Sequence, residues 1–352
     1  MVDALQSGLV TYVRENERAL FAGNYGPEDA LVFAQLSYLK FEKVYGCHYD
    51  GAPVRLAHCA GELLRRLGGE DADNRSFLEA LTESERYKGC TADRFAAENE
   101  RSQWAAVTIH MNDFFDSAVI AMRGTDGTTL GWTEDFKLLY KEKGTEAQKL
   151  SADYLEDSRE RNLFLTGHSK GGNNVTSAFV MAGADKRDKV VRIDNFDGPG
   201  VNTKFRERYA QGYVQLGKRL SNFYPQDSVI GLLLDDNPGE SFYVESSRAE
   251  GILHEHDPYN WKFDRNHRFA YTDQSELSKI IDDVLDIAVD TMSQWERVVL
   301  VSVLVKAGVP AAIAEGRWPP KRIISHAIRE AGGYGKADAC VDSHGHAYFR
   351  EQ

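Results

Sequence analysis

Cysteine is scarce in this chain: four in 352 residues, Cys47, Cys59, Cys90 and Cys340, scattered and without a CxxC pair. That rules out a dense disulfide framework and leaves no spacing that would gather metal ligands, so the cysteines read as reduced thiols and neither metal nor organic cofactor is expected. Positive charge is in deficit as well. Lys and Arg total 42 against 54 Asp and Glu, a formal net charge of -12, which repels phosphate backbones and anionic surfaces at long range and makes nucleic acid an unexpected partner. Long apolar runs are missing too. The longest, "VVLVSVLVKAGVPAAIA" from Val298, carries Lys306 and Pro310 and falls short of the ~20 residues a spanning helix needs, so no integral membrane span is expected. The start, "MVDALQSGLVTYVREN", has no basic region followed by an apolar core; no export signal is expected, and the location that follows is cytoplasmic.

What is present is an ordinary globular composition, 42% hydrophobic and 27% charged, with no internal repeat or low-complexity tract. The segment "PEDALVFAQLSYLKFEKVY" after Gly26 has a Pro at its start, early acids and helically spaced apolar residues, the pattern of a helix. The polar stretch from Gly68 to Asn99 reads as short helices and loops. Then the period changes: "WAAVTIHM" and "SAVIAMRG" are apolar, β-branched runs around the turn-like "NDFFD", which predicts two strands joined by a hairpin. The runs "NLFLTG", "KVVRIDNFDG" and "RLSNFYP" predict further strands, and "NVTSAFVMAGAD" between the first two predicts a helix. Strands alternating with helices give an α/β sandwich, a mostly parallel sheet with helices on both faces, here with helical N- and C-terminal additions. The expected division is residues 1–272 for the sandwich and its helical N-terminal part, and 273–352 for a helical extension packed on it, beginning with "DQSELSKIIDDVLDIAVDTMSQW".

The chemistry concentrates in "LFLTGHSKGGNN". A serine hydroxyl is a poor nucleophile near neutral pH, so an enzyme that uses one must expose it, supply a base and stabilise the oxyanion that follows. Gly167-x-Ser169-x-Gly171 meets the first need, since two glycines permit a sharp turn from strand to helix with the serine at its apex. In enzymes built on such a turn the acid and then the histidine come later in the chain. "FYPQDSVIG" offers Asp227 directly after a predicted strand, and "GILHEHDPYNW" offers His254 and His256. Asp197 in "NFDGPG" is a second candidate acid, and Asp227 could instead cap a helix. For the oxyanion, the backbone N–H of Lys170 and the segment at Gly124 and Thr125 are the candidate donors, although Thr125 could merely cap its turn.

These motifs resemble a known group. "VIAMRGTDGTTLGWTEDF", "LTGHSKGG", "NFDGPGVNTKF" and "FYPQDSVIG" occur in the order found in class 3 lipases, an α/β-hydrolase family. "DALVFAQLSYLKFE", "WAAVT", "GWTEDF" and "HDPYNW" add similarity to a poorly characterised bacterial lipase-like branch with a Gly-His-Ser-Lys-Gly-Gly-Asn elbow. The likeness runs from about Asp29 to Trp261. It implies Ser169 as nucleophile, Asp227 as acid, His256 as base, and Thr125 with the Lys170 N–H as oxyanion hole. Lys170 replaces a residue that is usually apolar, and its ammonium must find a partner; Asp135, Glu134 and Asp197 are the expected carboxylates.

The resemblance therefore implies a serine esterase or lipase that works through an acyl-enzyme on a small-molecule or lipid acyl ester. A thioesterase, amidase or acyltransferase would use the same triad, and a non-catalytic binding protein could keep the scaffold. The acidic, lysine-rich "FKLLYKEKGTEAQKL" offers no apolar lid, which favours a water-soluble or membrane-derived ester over bulk triglyceride. Oligomeric state is not legible in the sequence.

Overall fold

The computed structural model describes residues 8–279 apart from 70, 112, 114, 126–136, 139, 235–236, 248–251 and 277, together with two short strands, Ala339–Val341 and Ala347–Phe349, paired with each other. The expected helical extension from 273 onward and the apolar stretch from Val298 lie almost wholly outside the described residues. Among the described residues no helix is long and apolar enough to cross a membrane.

The longer helices of the first part of the chain are α1 (Leu9–Glu15), α2 (Pro27–Leu36), α3 (Leu56–Arg66) and α4 (Ala72–Glu83). Nine strands form one sheet: β1 (His48–Arg55), β2 (Thr91–Glu98), β3 (Trp104–His110), β4 (Ser117–Met122), β5 (Asn162–His168), β6 (Val190–Phe196), β7 (Leu220–Pro225), β8 (Glu240–Val244) and β9 (Tyr271–Thr272). Their order in space is their order in the chain. From β4 to β8 neighbours are parallel, whereas β1 to β4 form an antiparallel meander and β9 runs antiparallel to β8. The sheet is therefore mixed rather than mostly parallel. Parallel neighbours need a long crossover; β2, β3 and β4 are joined by short links, and the long β1–β2 connection through α3 and α4 returns antiparallel.

Strand order that always advances in one direction has a consequence for the layers. Right-handed crossovers then place every connecting helix on the same face. Those helices are α5 (Glu146–Glu156), α6 (Lys170–Met181) and α7 (Ala210–Leu216), and they bury Ile120, Met122, Leu163 and Leu165 of the sheet. The other face would be bare without the N-terminal helices. There α2 lies across β4, β5 and β6, over Val119, Ala121 and Phe164. Alternate residues of β4 thus enter different cores, as the twofold period of a strand demands.

Pro27 at the first position and Asp29, whose carboxylate accepts from the Gly26 N–H at 3.0 Å, start α2. The predicted helix over "PEDALVFAQLSYLKFEKVY" is interrupted after Leu36 and resumes only at Glu42. The fully buried Arg123 explains the break. Its guanidinium donates to the Ser37 carbonyl at 2.9 Å and the Leu39 carbonyl at 3.1 Å, and pairs with both oxygens of Glu42. Burial works against the Glu42 charge, yet the Arg123 hydrogen bonds and charge outweigh it and hold that carboxyl below its usual range.

Asp29 joins the N-terminal layer to itself. Buried at 1% exposure, it takes two hydrogen bonds from Arg86, at 2.5 and 2.6 Å, and one each from the Tyr12 and Tyr87 hydroxyls, at 2.9 and 2.8 Å. α1, α2 and the turn after α4 are thereby fixed to one carboxylate.

Candidate active site

β5 feeds the site through its alternation. Phe164, Thr166 and His168 face the N-terminal layer, where the Thr166 hydroxyl donates to the Ala30 carbonyl of α2 at 2.8 Å. After His168 the chain turns at Ser169, with φ 58° and ψ −134°, and enters α6 at Lys170. A left-handed φ in a non-glycine residue stores on the order of 1–3 kcal/mol, held by the surrounding packing. The turn closes because Gly167 and Gly171 touch: a Cβ on Gly167 would run into the Gly171 carbonyl, and one on Gly171 into the Met122 carbonyl. Ser169 occupies the N-cap of α6, but its side chain makes no capping hydrogen bond. Ser169 instead lines a cavity of about 320 Å³ together with His256.

His256 ends the short helix α8 (Ile252–His256). Its Nδ1 lies 2.6 Å from Oδ2 of Asp197. A carboxylate only accepts, so Nδ1 carries the proton and Nε2 is left as the basic nitrogen. The acid on the imidazole is therefore Asp197 and not Asp227, a correction to the sequence expectation. Asp197 follows β6 directly, bends at φ 49° and is 1% exposed. Its Oδ1 accepts from the Ser228 hydroxyl at 2.5 Å and the Gly231 N–H at 3.0 Å. Asp227 stands one residue before that serine, half-buried in the turn that follows β7. The turn thus supplies a donor to the acid where the sequence suggested the acid itself. His254, the competing histidine, meets the Asn260 amide through its ring and its carbonyl.

A second histidine, not singled out from the sequence, supports the first. His168 Nε2 donates to the His256 carbonyl at 2.8 Å, and the two rings are 4.3 Å apart. Its Nδ1 must then accept, and the Tyr38 hydroxyl is 2.9 Å away. Burial, with the His256 ring beside it, pushes the His168 imidazole well below its ordinary range, so it stays neutral. The motif contained His168; Tyr38, 130 positions earlier, carried no sequence signal.

Thr125 also borders the Ser169 cavity, at the end of the segment that leaves β4. Gly124 is fixed by space, since a Cβ there would strike the Tyr38 hydroxyl and the His168 carbonyl. Lys170 is 2% exposed, and its ammonium donates to the Gln103 carbonyl at 2.9 Å and to Gln103 Oε1 at 2.6 Å. Gln103 in turn donates from Nε2 to the Gly124 carbonyl at 3.1 Å. The elbow and the Thr125 segment are thus joined through a glutamine. Of the three carboxylates expected at this ammonium, Asp197 is engaged elsewhere, while Glu134 and Asp135 lie outside the described residues. Among the described residues no group of His, Cys, Asp and Glu is arranged to hold a metal ion.

The Mbeg1-like family model matches residues 81–306, well over half of the chain. No curated protein matches the sequence. Among solved structures the chain is similar to M37 lipase, at 13% identity over 59% of this chain and 70% of that one, with a TM-score of 0.35. It is similar to a fungal lipase at 13% identity over 72% and 90%, TM-score 0.35, and to a triacylglycerol lipase from Penicillium expansum at 11% identity over 78% and 100%, TM-score 0.31.

Proposed function

The chain belongs to the Mbeg1-like family, and we propose on that premise that it is a serine hydrolase of carboxylic esters on an α/β-hydrolase framework. One observation carries the reading: a serine on a strained strand-to-helix turn shares a cavity with a histidine whose Nδ1 is bonded to a buried aspartate. A scaffold that only binds has no need of the three together.

In this mechanism Ser169 Oγ attacks the acyl carbon while His256 Nε2 takes its proton. Asp197 keeps the ring in the required tautomer and stabilises the imidazolium that forms. The tetrahedral oxyanion is met by the Lys170 N–H, in the first turn of α6 where main-chain donors have no intrahelical acceptor, and by Thr125. Collapse breaks the bond from the acyl carbon to the alcohol oxygen, and the imidazolium returns the proton to that oxygen. Water, deprotonated by His256, then attacks the acyl-enzyme and releases the acid with Ser169 restored.

The test is labelling by a fluorophosphonate, which reacts with activated serines. Native protein takes the label, Ser169→Ala does not, and turnover of a p-nitrophenyl ester falls by ~10³ or more in that variant. Native protein that stays unlabelled, or a variant that keeps near wild-type turnover, would refute the proposal.

A further inference from the structure

Building on the esterase reading, we infer that the preferred substrate is a single-chain acyl ester whose alcohol carries a phosphate, bound by a cationic opening beside the Ser169 cavity. A second cavity, of about 300 Å³, adjoins the first and shares Tyr38, Asp71, Asn74 and Thr125 with it. Thr125, the candidate oxyanion donor, stands in both walls. An ester with its carbonyl at Thr125 can therefore turn both its acyl chain and its alcohol toward the neighbouring space, one along its apolar floor and the other along its cationic rim.

That space has two characters. Leu63 and Leu78, both buried, line it together with Leu67 and Leu39. Lys40, Lys43 and Arg66 line it as well, with Lys43 and Arg66 exposed. On a chain of formal net charge -12, three cations around one leucine-lined space are a local reversal of sign. Of the acids nearby, Glu62 pairs with Arg65 and Arg66, and Asp71, which lines the space, accepts from the Asn74 backbone at 3.1 Å and its amide at 2.7 Å, so the lining carries three cations against one anion. Arg66 uses Nη1 on Glu62, which leaves further donors of its fork.

Leucines below and cations above suit an amphiphile with an anion at one end. Cations from separate elements, Lys40 in the turn after α2, Lys43 in the short helix Glu42–Tyr45 and Arg66 at the end of α3, can approach different outward oxygens of a phosphate. The phosphate takes no part in the reaction. The bond broken is the acyl C–O bond at Ser169, and the phosphate leaves with the alcohol.

A non-hydrolysable ether, 1-O-octyl-glycerol 3-phosphate, titrated calorimetrically below its micelle concentration, tests binding without turnover. It binds about tenfold or more tighter than neutral 1-O-octyl-glycerol and than glycerol 3-phosphate, the scale of one charged hydrogen bond. The double variant Lys43→Ala, Arg66→Ala loses that preference. In the same variant the ratio of kcat/KM for 1-octanoyl-glycerol 3-phosphate over 1-octanoylglycerol falls roughly tenfold. Equal binding of the two ethers, glycerol 3-phosphate binding as tightly as the ether, or a preference that survives the double variant overturns the inference. Ether selectivity without fluorophosphonate labelling would leave a binding site for a phosphate amphiphile but remove the esterase reading and, with it, the assignment of that amphiphile as substrate; labelling without selectivity would remove this inference alone.

Discussion

His168 grips the main chain of His256: its Nε2 donates to the His256 carbonyl at 2.8 Å while the Tyr38 hydroxyl meets its other nitrogen at 2.9 Å. The candidate base is thus held twice, at its ring by Asp197 and at its backbone by a neutral imidazole.

The first prediction separates the two acids. Asp197→Asn lowers kcat on a p-nitrophenyl ester by ~10³ to 10⁴, because the amide favours the wrong imidazole tautomer. Asp227→Asn lowers it far less, since that side chain is not the one bonded to His256. Steady-state rates of the two variants side by side decide it; a larger loss at position 227 would restore the acid that the sequence favoured.

The second concerns pH. The folded value of His168 is depressed below its ordinary 6.5, so the unfolded chain binds the extra proton. Stability is fully present above about pH 6.5 and falls as pH drops toward the folded value, by up to ~1.4 kcal/mol per unit. His168→Gln, which keeps a donor for the His256 carbonyl, flattens that slope. Urea midpoints between about pH 8 and pH 5 measure it; identical slopes in both proteins would mean that His168 titrates normally.

The third follows from the buried ammonium. Lys170→Met leaves two acceptors of Gln103 without that donor and destabilises the fold by about 1–3 kcal/mol. Since Gln103 holds the Gly124 carbonyl, the proposed Thr125 donor drifts and kcat falls more than KM rises. A variant with a lower unfolding midpoint but unchanged kcat would show that the lysine only supports the fold.

The fourth tests the N-terminal layer. Asp29→Ala strands the buried Arg86 charge and destabilises by about 3–5 kcal/mol, the range for removing one partner of a buried pair. Chemical denaturation reads the loss directly, and a change below about 1 kcal/mol would be inconsistent with the ion pair holding that layer together.

Much of this was legible in the sequence, and the misses have physical causes. Ser169 stood out because a strand, two glycines and a helix must coincide around such a turn, and His256 because it directly precedes "DPYNW", the stretch similar to the lipase-like branch. The family pattern ranks Asp227 above Asp197, although both follow neighbouring parallel strands and both precede the histidine. Only the fold back of Ser228 and Gly231 onto Asp197 separates them. The strands β1 and β2 escaped for another reason. β1 is an edge strand, exposed or half-exposed along its whole length, so it has no apolar alternation to detect. Arg123 hid the break in the first helix, because a guanidinium 86 positions away accepts the role of cap for Ser37.

β5 is fifth of nine in a sheet whose spatial order is its chain order. The serine turn therefore hangs from the middle rung of a ladder, with four rungs to either side. Fraying that begins at a sheet border must undo all the intervening pairings before it loosens this one. Sequence drift, trimming or insertion at the borders is correspondingly easy to absorb, and the serine turn inherits the rigidity of the middle of the sheet.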